Sequence, residues 1–249
     1  MEQRIFLNMH NRLIKPLVLR SLSIGLSVPT GSIDRYLELV YLKKLLVDLD
    51  INCVLDVGAN RGQFAHELRG IGFEGNIVSF EPVQREFEIL SKSFANDPKW
   101  SGYQIALGSE EKNMQIHIPK LTVMSSLLEF ANGENNMECQ NIRVKRLDEV
   151  FQEIMEGVET PRIFLKMDTQ GYDLEVFKGS RGCITQILGL ESELSIIPLY
   201  KNMPHYLESL TVYENSGFEL FNLSVVNRLS SGGLVEINCF MKRQGRSSV

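Results

Sequence analysis

Asn52-Cys53-Val54-Leu55-Asp56-Val57-Gly58-Ala59-Asn60-Arg61-Gly62 is the stretch that decides the fold of this chain. Cys53 to Val57 is a short apolar run of the kind that forms a strand buried on both faces. It enters a turn built on Gly58 and Gly62, and Gln63 to Arg69 continues with helical character. A strand ending in a glycine turn that opens a helix aims backbone N–H groups at whatever lies above the sheet edge. In open α/β sheets, that edge is where ligands bind.

Upstream, Ile33 to Leu49 repeats apolar residues at helical spacing. Pro29-Thr30-Gly31-Ser32 is a turn cluster and marks the boundary between an N-terminal helical extension, residues 1–32, and a domain over 33–249. Residues 4–26 are expected to form one or two helices, with Pro16 able to kink or divide them. Leu13 to Val28 comes nearest to a membrane span, but Lys15, Pro16 and Arg20 interrupt it, short of the ~18 apolar residues that crossing requires. No transmembrane segment is expected. These helices are expected to pack on the domain or on a second copy of the chain, giving a homodimer through the N-terminal helices.

Downstream, Asn76 to Phe80 is a β-rich run that stops at Glu81-Pro82, and Gln84 to Phe94 reads as a helix. Tyr103 to Leu107 is a further short strand. Ile163 to Met167 and Ile187 to Leu190 follow, each entering acidic residues. Helical segments at Leu147 to Met155, Asp173 to Lys178 and Tyr206 to Tyr213 separate the strands, and Phe218 to Leu223 with Leu234 to Met241 close the chain as an antiparallel pair. Strands alternating with helices argue for an α/β fold with a mostly parallel sheet. Residues 109–146 break that rhythm. They read as an acceptor-side insertion over the sheet edge, with Met114 to Ile118, Val123 to Leu128 and Ile142 to Lys145 extended and Asn132 to Asn136 a polar turn.

At 249 residues, the chain suits one large domain with a modest extension. A net charge of −5 and a pI near 5.5 give no electrostatic reason to expect nucleic acid. The four cysteines, Cys53, Cys139, Cys183 and Cys239, are widely spaced without a CxxC pair, a pattern suited to a reducing cytoplasm rather than to disulfides or a cysteine metal site.

The glycine turn is not the dinucleotide fingerprint, because Asn60 stands where GxGxxG needs its second glycine for backbone to approach a pyrophosphate. Asp56 would repel a diphosphate and suits a ligand with a cationic amine. That combination points to S-adenosyl-L-methionine, which carries a nucleoside and an amino-acid end but no phosphate. Glu81 ends the next strand 25 positions after Asp56, where a carboxylate accepts both ribose hydroxyls. Asp168 ends a strand at the same edge, beside the glycine turn. A helix cap is its plainer alternative, although Asp173 directly precedes a helical run and is the more natural cap.

The chain resembles the FkbM family of S-adenosylmethionine-dependent methyltransferases. The resemblance is carried by Asp56-Val57-Gly58-Ala59-Asn60-Arg61-Gly62, Phe80-Glu81-Pro82, Ser125-Ser126-Leu127, Val144-Lys145-Arg146-Leu147-Asp148, and Lys166 through Gly171. Glu193, Pro198-Leu199-Tyr200, Gly217-Phe218 and the final strand through Arg243 extend it over roughly residues 50–243. It implies a Rossmann-like seven-stranded methyltransferase sheet, mostly parallel with an antiparallel C-terminal strand and helices on both faces. It also implies a hydroxyl acceptor, such as a sugar, glycolipid or polyketide-type natural product, and S-adenosyl-L-homocysteine as product. By position, Asp56, Gly58, Ala59, Asn60, Glu81, Pro82, Ala106 and Asp168 would hold the donor. Asn238 departs from the Asp that relatives often carry.

Methyl transfer is an in-line displacement, and a hydroxyl nucleophile must lose its proton as the bond forms. Asp168 or Glu193 is the expected base, with His205 a further candidate as base or acceptor contact. Lys166 either pairs with a carboxylate or holds an anionic acceptor. Ser125, Ser126 and Tyr200 are expected on the acceptor side. Asp168 and Glu193 are near enough in the topology to approach one another, but no ligand spacing announces a metal site. N-methylation and a catalytically inactive cofactor-binding module are the alternatives.

Overall fold

The computed structural model of the chain describes residues 20, 23, 30–131 and 137–245. The expected helices over 4–26, apart from residues 20 and 23, and the expected turn over 132–136 lie outside these residues. β1 (Cys53–Val57) is buried throughout. It is flanked in parallel by β2 (Asn76–Phe80) and β7 (Ile163–Met167), with Val57 opposite Phe80 on one side and Met167 on the other. β3 (Trp100–Tyr103) extends the sheet beyond β2, and β8 (Ile187–Ser195) extends it beyond β7. β10 (Leu234–Arg243) then runs antiparallel between β8 and β9 (Phe218–Arg228). The seven strands therefore lie in the order β3-β2-β1-β7-β8-β10-β9.

The alternation of side chains along β1 builds two cores, one on each face of the sheet. Cys53, Leu55 and Val57 join Leu147, Val150 and Phe151 of α4 (Leu147–Ile154), Leu174 and Phe177 of α5 (Asp173–Lys178), and Tyr213 of α6 (Tyr206–Asn215). Val54 joins Leu42, Leu45 and Leu46 of α1 (Thr30–Asp48), Phe64 and Leu68 of α2 (Gln63–Gly70), and Leu90 of α3 (Gln84–Ser93). This is the Rossmann-like architecture, with helices on both faces.

Four local expectations differ from the structure. Thr30 to Ser32 are the first turn of α1 rather than a boundary turn, a position whose N–H groups need no intrahelical acceptor and which tolerates Gly and Ser. The single strand expected over Tyr103 to Leu107 is divided. Tyr103 ends β3 in the large sheet, whereas β4 (Ala106–Leu107) pairs with β6 (Glu138–Lys145) in a second sheet of order β4-β6-β5. β8 runs five residues past Leu190, because β10 pairs with it as far as Ser195 and carries Glu191 and Glu193 into the sheet. Within the insertion, Thr122 to Met124 form a turn of 3₁₀ helix rather than extended chain. β5 (Lys112–Ile118) and β6 make the hairpin from which that turn hangs over the large sheet.

Candidate active site

The glycine turn is held shut by its own neighbours. Gly58 and Ala59 donate their N–H groups to the Phe80 carbonyl, each at 3.0 Å. Asn60, left-handed at φ 47°, donates its N–H to Glu81 Oε2 at 2.8 Å. The turn therefore offers none of these three donors to an anion, in contrast to the N–H groups expected to face a ligand. Gly58 sits at φ 78°, and a Cβ there would overlap the Asp168 carbonyl oxygen. That close approach of β1 and β7 requires glycine.

Two cavities meet at this turn. The first lies under the insertion; Gly58, Asn60, Glu81, Pro82, Ala106 and Asp168 line it. The apolar side chains of Phe80, Ile105, Ile116 and Leu127 add to its walls, and Thr122 and Ser125 supply polar lining. The second, of about 240 Å³, takes Ala59, Lys166, Asp168 and Glu191, together with Arg35 of α1. Asp168 belongs to both.

Asp56 lies beneath the turn, fully buried, and neither of its carboxylate oxygens has a hydrogen-bond partner. An ion pair with Lys166 Nζ at 3.3 Å is its compensation, and Lys166 reaches Asp168 Oδ2 at the same distance. Burial raises the Asp56 pKa despite this attraction. Burial opposes the charge on Lys166, but Asp168, Asp56 and Glu191 outweigh it and hold that lysine above its ordinary range. Glu81 is 5% exposed, and burial pushes it up to about 7 although the N–H groups of Val83 and Asn60 favour its charge. Each Glu81 oxygen accepts one of those N–H groups at 2.8 Å and keeps a second lone pair.

These residues fit the expected donor. A ribose has Glu81 and an adenine has the apolar cavity containing Pro82 and Ala106, whereas Asp56, expected to meet the amine, lines neither cavity and has Lys166 as its counter-charge. When bound, S-adenosylmethionine supplies an electrophilic methyl group.

At the end of β7, Asp168 and Glu193 are brought together. One amide joins them: Gln170 Nε2 donates to Glu193 Oε2 at 2.6 Å and to Asp168 Oδ1 at 3.2 Å. Burial and the Asp168 charge hold Glu193 well above the usual carboxylate range. Asp173 is not a helix cap. It is 4% exposed and ties the loop after β7 to β8, accepting from the Thr169 N–H at 2.9 Å, the Ser192 hydroxyl at 2.7 Å and the Glu193 N–H at 3.1 Å. No helical pattern distinguishes that role from capping. Gln170 carried no sequence signal beyond its place between Asp168 and Gly171.

The acceptor-side candidates separate. Ser125 lines the first cavity, its hydroxyl donating to the Thr122 carbonyl at 2.7 Å. Ser126 is buried and donates to the Gln170 carbonyl at 2.8 Å. Tyr200 is 1% exposed, with its hydroxyl 2.7 Å from Gln170 Oε1. Both hydroxyls are thus used within the protein. His205 is exposed, lines neither cavity, and caps α6, its Nδ1 accepting the Leu207 N–H at 3.3 Å. Asn238 donates to Glu38 of α1 at 3.2 Å. Among the described residues, no group of three or more His, Cys, Asp or Glu is arranged to hold a metal ion.

The sheet order and the cavities at the end of β1 are compatible with a methyltransferase, and the family match shows that class. The chain belongs to the FkbM family of S-adenosylmethionine-dependent methyltransferases, whose methyltransferase FkbM domain matches residues 56–220. That match stops short of α1 and β10 at either end. Among solved structures, the chain is similar to a protein of Thermobifida fusca YX provisionally described as a methyltransferase, with 9% identity over 87% of this chain and 82% of that one and a TM-score of 0.49. It is also similar to a Listeria monocytogenes protein provisionally described as S-adenosylmethionine dependent, with 8% identity over 86% and 99% and a TM-score of 0.48. Aeropyrum pernix fibrillarin, solved with natively bound S-adenosyl-L-methionine, shows 10% identity over 76% and 66% with a TM-score of 0.44. No curated protein sequence matches the chain significantly.

Proposed function

We propose that this methyltransferase acts on a hydroxyl group of a small or glycosidic acceptor, a sugar, glycolipid or natural product. The observation that carries this reading is Asp168, a carboxylate shared by both cavities, braced by Lys166 and Gln170 beside a second carboxylate. A hydroxyl, unlike a neutral amine, needs its proton removed while its oxygen attacks, and a carboxylate at the junction of the cavities is placed for that task. Gly58, Ala59, Asn60, Glu81, Pro82 and Ala106 hold the donor in this reading, with Asp56 buried beneath them. Asp168 receives the acceptor proton, with Ser125 on the acceptor side.

An ordinary carboxylate is far less basic than an alkoxide, so the proton moves as the new bond forms rather than before it. A positioned general base contributes typically ~10²–10⁴-fold, and Asp168→Asn should lose turnover on that scale while binding S-adenosylmethionine within a few-fold of wild type. The measurement is calorimetric titration of the donor, followed by labelled-methyl transfer to a panel of glycosides and polyketide alcohols. Transfer only to amines, or an Asp168→Asn variant as active as wild type, would sink the hydroxyl reading.

A further inference from the structure

We propose that Gln170 is a positioning residue of this site, one amide that holds the Asp168 and Glu193 carboxylates side by side and fastens them to the segment covering the first cavity. This rests on the reading of Asp168 as the base and deepens it, by assigning to Gln170 the control of the carboxylate pair's protonation.

The orientation of the amide follows from its partners. Nε2 is a donor only, and it faces two carboxylates, at 2.6 Å from Glu193 Oε2 and 3.2 Å from Asp168 Oδ1. A flipped amide would set its carbonyl oxygen against the Asp168 carboxylate. Oε1 in turn faces the Tyr200 hydroxyl at 2.7 Å, and that hydroxyl lies 3.1 Å from the Met124 carbonyl in the 3₁₀ turn. The Gln170 main chain takes part as well, since its carbonyl accepts from the buried Ser126 hydroxyl at 2.8 Å. Gln170 adopts φ 54°, a left-handed conformation that a non-glycine residue holds only when its surroundings impose it. Side chain and main chain together make the connection from the carboxylate pair to the turn over the cavity.

Two carboxylates this close repel one another, and an amide donor between them favours their ionised forms. Glu193 also faces Asp173 from α5, Glu236 from β10 and Lys166 from β7, so Gln170 supplies a neutral donor in surroundings that are mostly acidic. Removing that donor must raise the proton affinity of the pair. A residue that served packing alone would leave it unchanged.

The test is a ¹³C NMR titration of the full chain carrying labelled Asp and Glu carboxyl groups, with Glu193→Gln and Asp168→Asn used to assign the two resonances. Gln170→Leu should raise the upper midpoint of the coupled pair by about one unit or more, tenfold in proton affinity. Gln170→Glu, nearly isosteric, should raise it further by adding a third carboxylate, and it serves equally if the leucine variant fails to fold. Tyr200→Phe, which frees the amide to turn, should give a smaller shift in the same direction. Midpoints unchanged in the folded Gln170 variants would overturn the proposal. The titration requires neither donor nor acceptor, so it is independent of whether a hydroxyl proves to be the group methylated.

Discussion

At the scale of single residues, the site depends on groups whose conformation or charge the fold constrains. Gly58 combines φ 78° with a Cβ position occupied by the Asp168 carbonyl. Gly58→Ala therefore faces about 1–2 kcal/mol of left-handed backbone cost before the overlap is relieved by parting β1 from β7. A fall of at least ~2 kcal/mol in chemical-denaturation stability, with loss of donor binding, is the expected outcome. Glu81 makes a different prediction, one of pH. Burial pushes its carboxyl up to about 7, and its use as an acceptor for ribose hydroxyls requires the ionised form. Donor affinity should hold above that value and fall as the pH drops through it. Calorimetric titrations between pH 6 and 8.5 should show this trend, and Glu81→Gln should flatten it.

At the scale of elements, α1 and the insertion add walls to the site at the sheet edge. α1 lies outside the family match, yet it buries Leu42, Leu45 and Leu46 against the sheet and brings Arg35 to the second cavity. Arg35 is held there by Glu67 of α2, Nε to Oε1 at 2.9 Å, and by Glu38 of its own helix. Leu45 is fully buried, so Leu45→Ala should cost about 2–5 kcal/mol. The loss should appear as one cooperative transition at a lower denaturant midpoint. A separate early transition confined to α1 would show instead that the helix is an appendage. Elements were read from sequence most accurately where a run was both apolar and bounded by turns, as in β1, β2 and β7. β8 was read too short because Glu191 and Glu193 resemble a strand's end. They remain in the strand because β10 supplies the hydrogen-bonding partner along their backbone.

At the scale of the whole molecule, one face of the sheet gathers charge that a folded protein ordinarily avoids. Asp56, Lys166 and Glu191 stand in register on β1, β7 and β8, all buried, and Glu191 Oε2 has no hydrogen-bond partner. Burial, reinforced by Glu38, pushes Glu191 up to about 8. A carboxyl whose pKa is raised on folding contributes stability that is full below its unfolded value of about 4.5 and lost as pH rises through its folded value. Glu191→Gln should therefore match wild type near pH 4.5 and gain in melting temperature over it as the pH approaches 8. A constant difference across that range would contradict the buried-acid origin of the effect.

The sequence by itself brought together the residues proposed to seat the donor. Asp56, Gly58, Asn60 and Glu81 sit at the ends of two neighbouring strands, where local pattern and strand order suffice to bring them together. It also supplied Asp168 and Glu193 as candidates, through their places after apolar runs. Tertiary structure alone decided that one amide, Gln170, joins those two carboxylates, that Asp173 locks a loop instead of capping a helix, and that the Ser126 and Tyr200 hydroxyls face inward. The physical reason is the range of the interactions. A glycine turn is specified by its own dihedral angles, whereas a hydrogen-bond network drawn from β8, the loop after β7, the insertion and the loop before α6 exists only once those segments have packed.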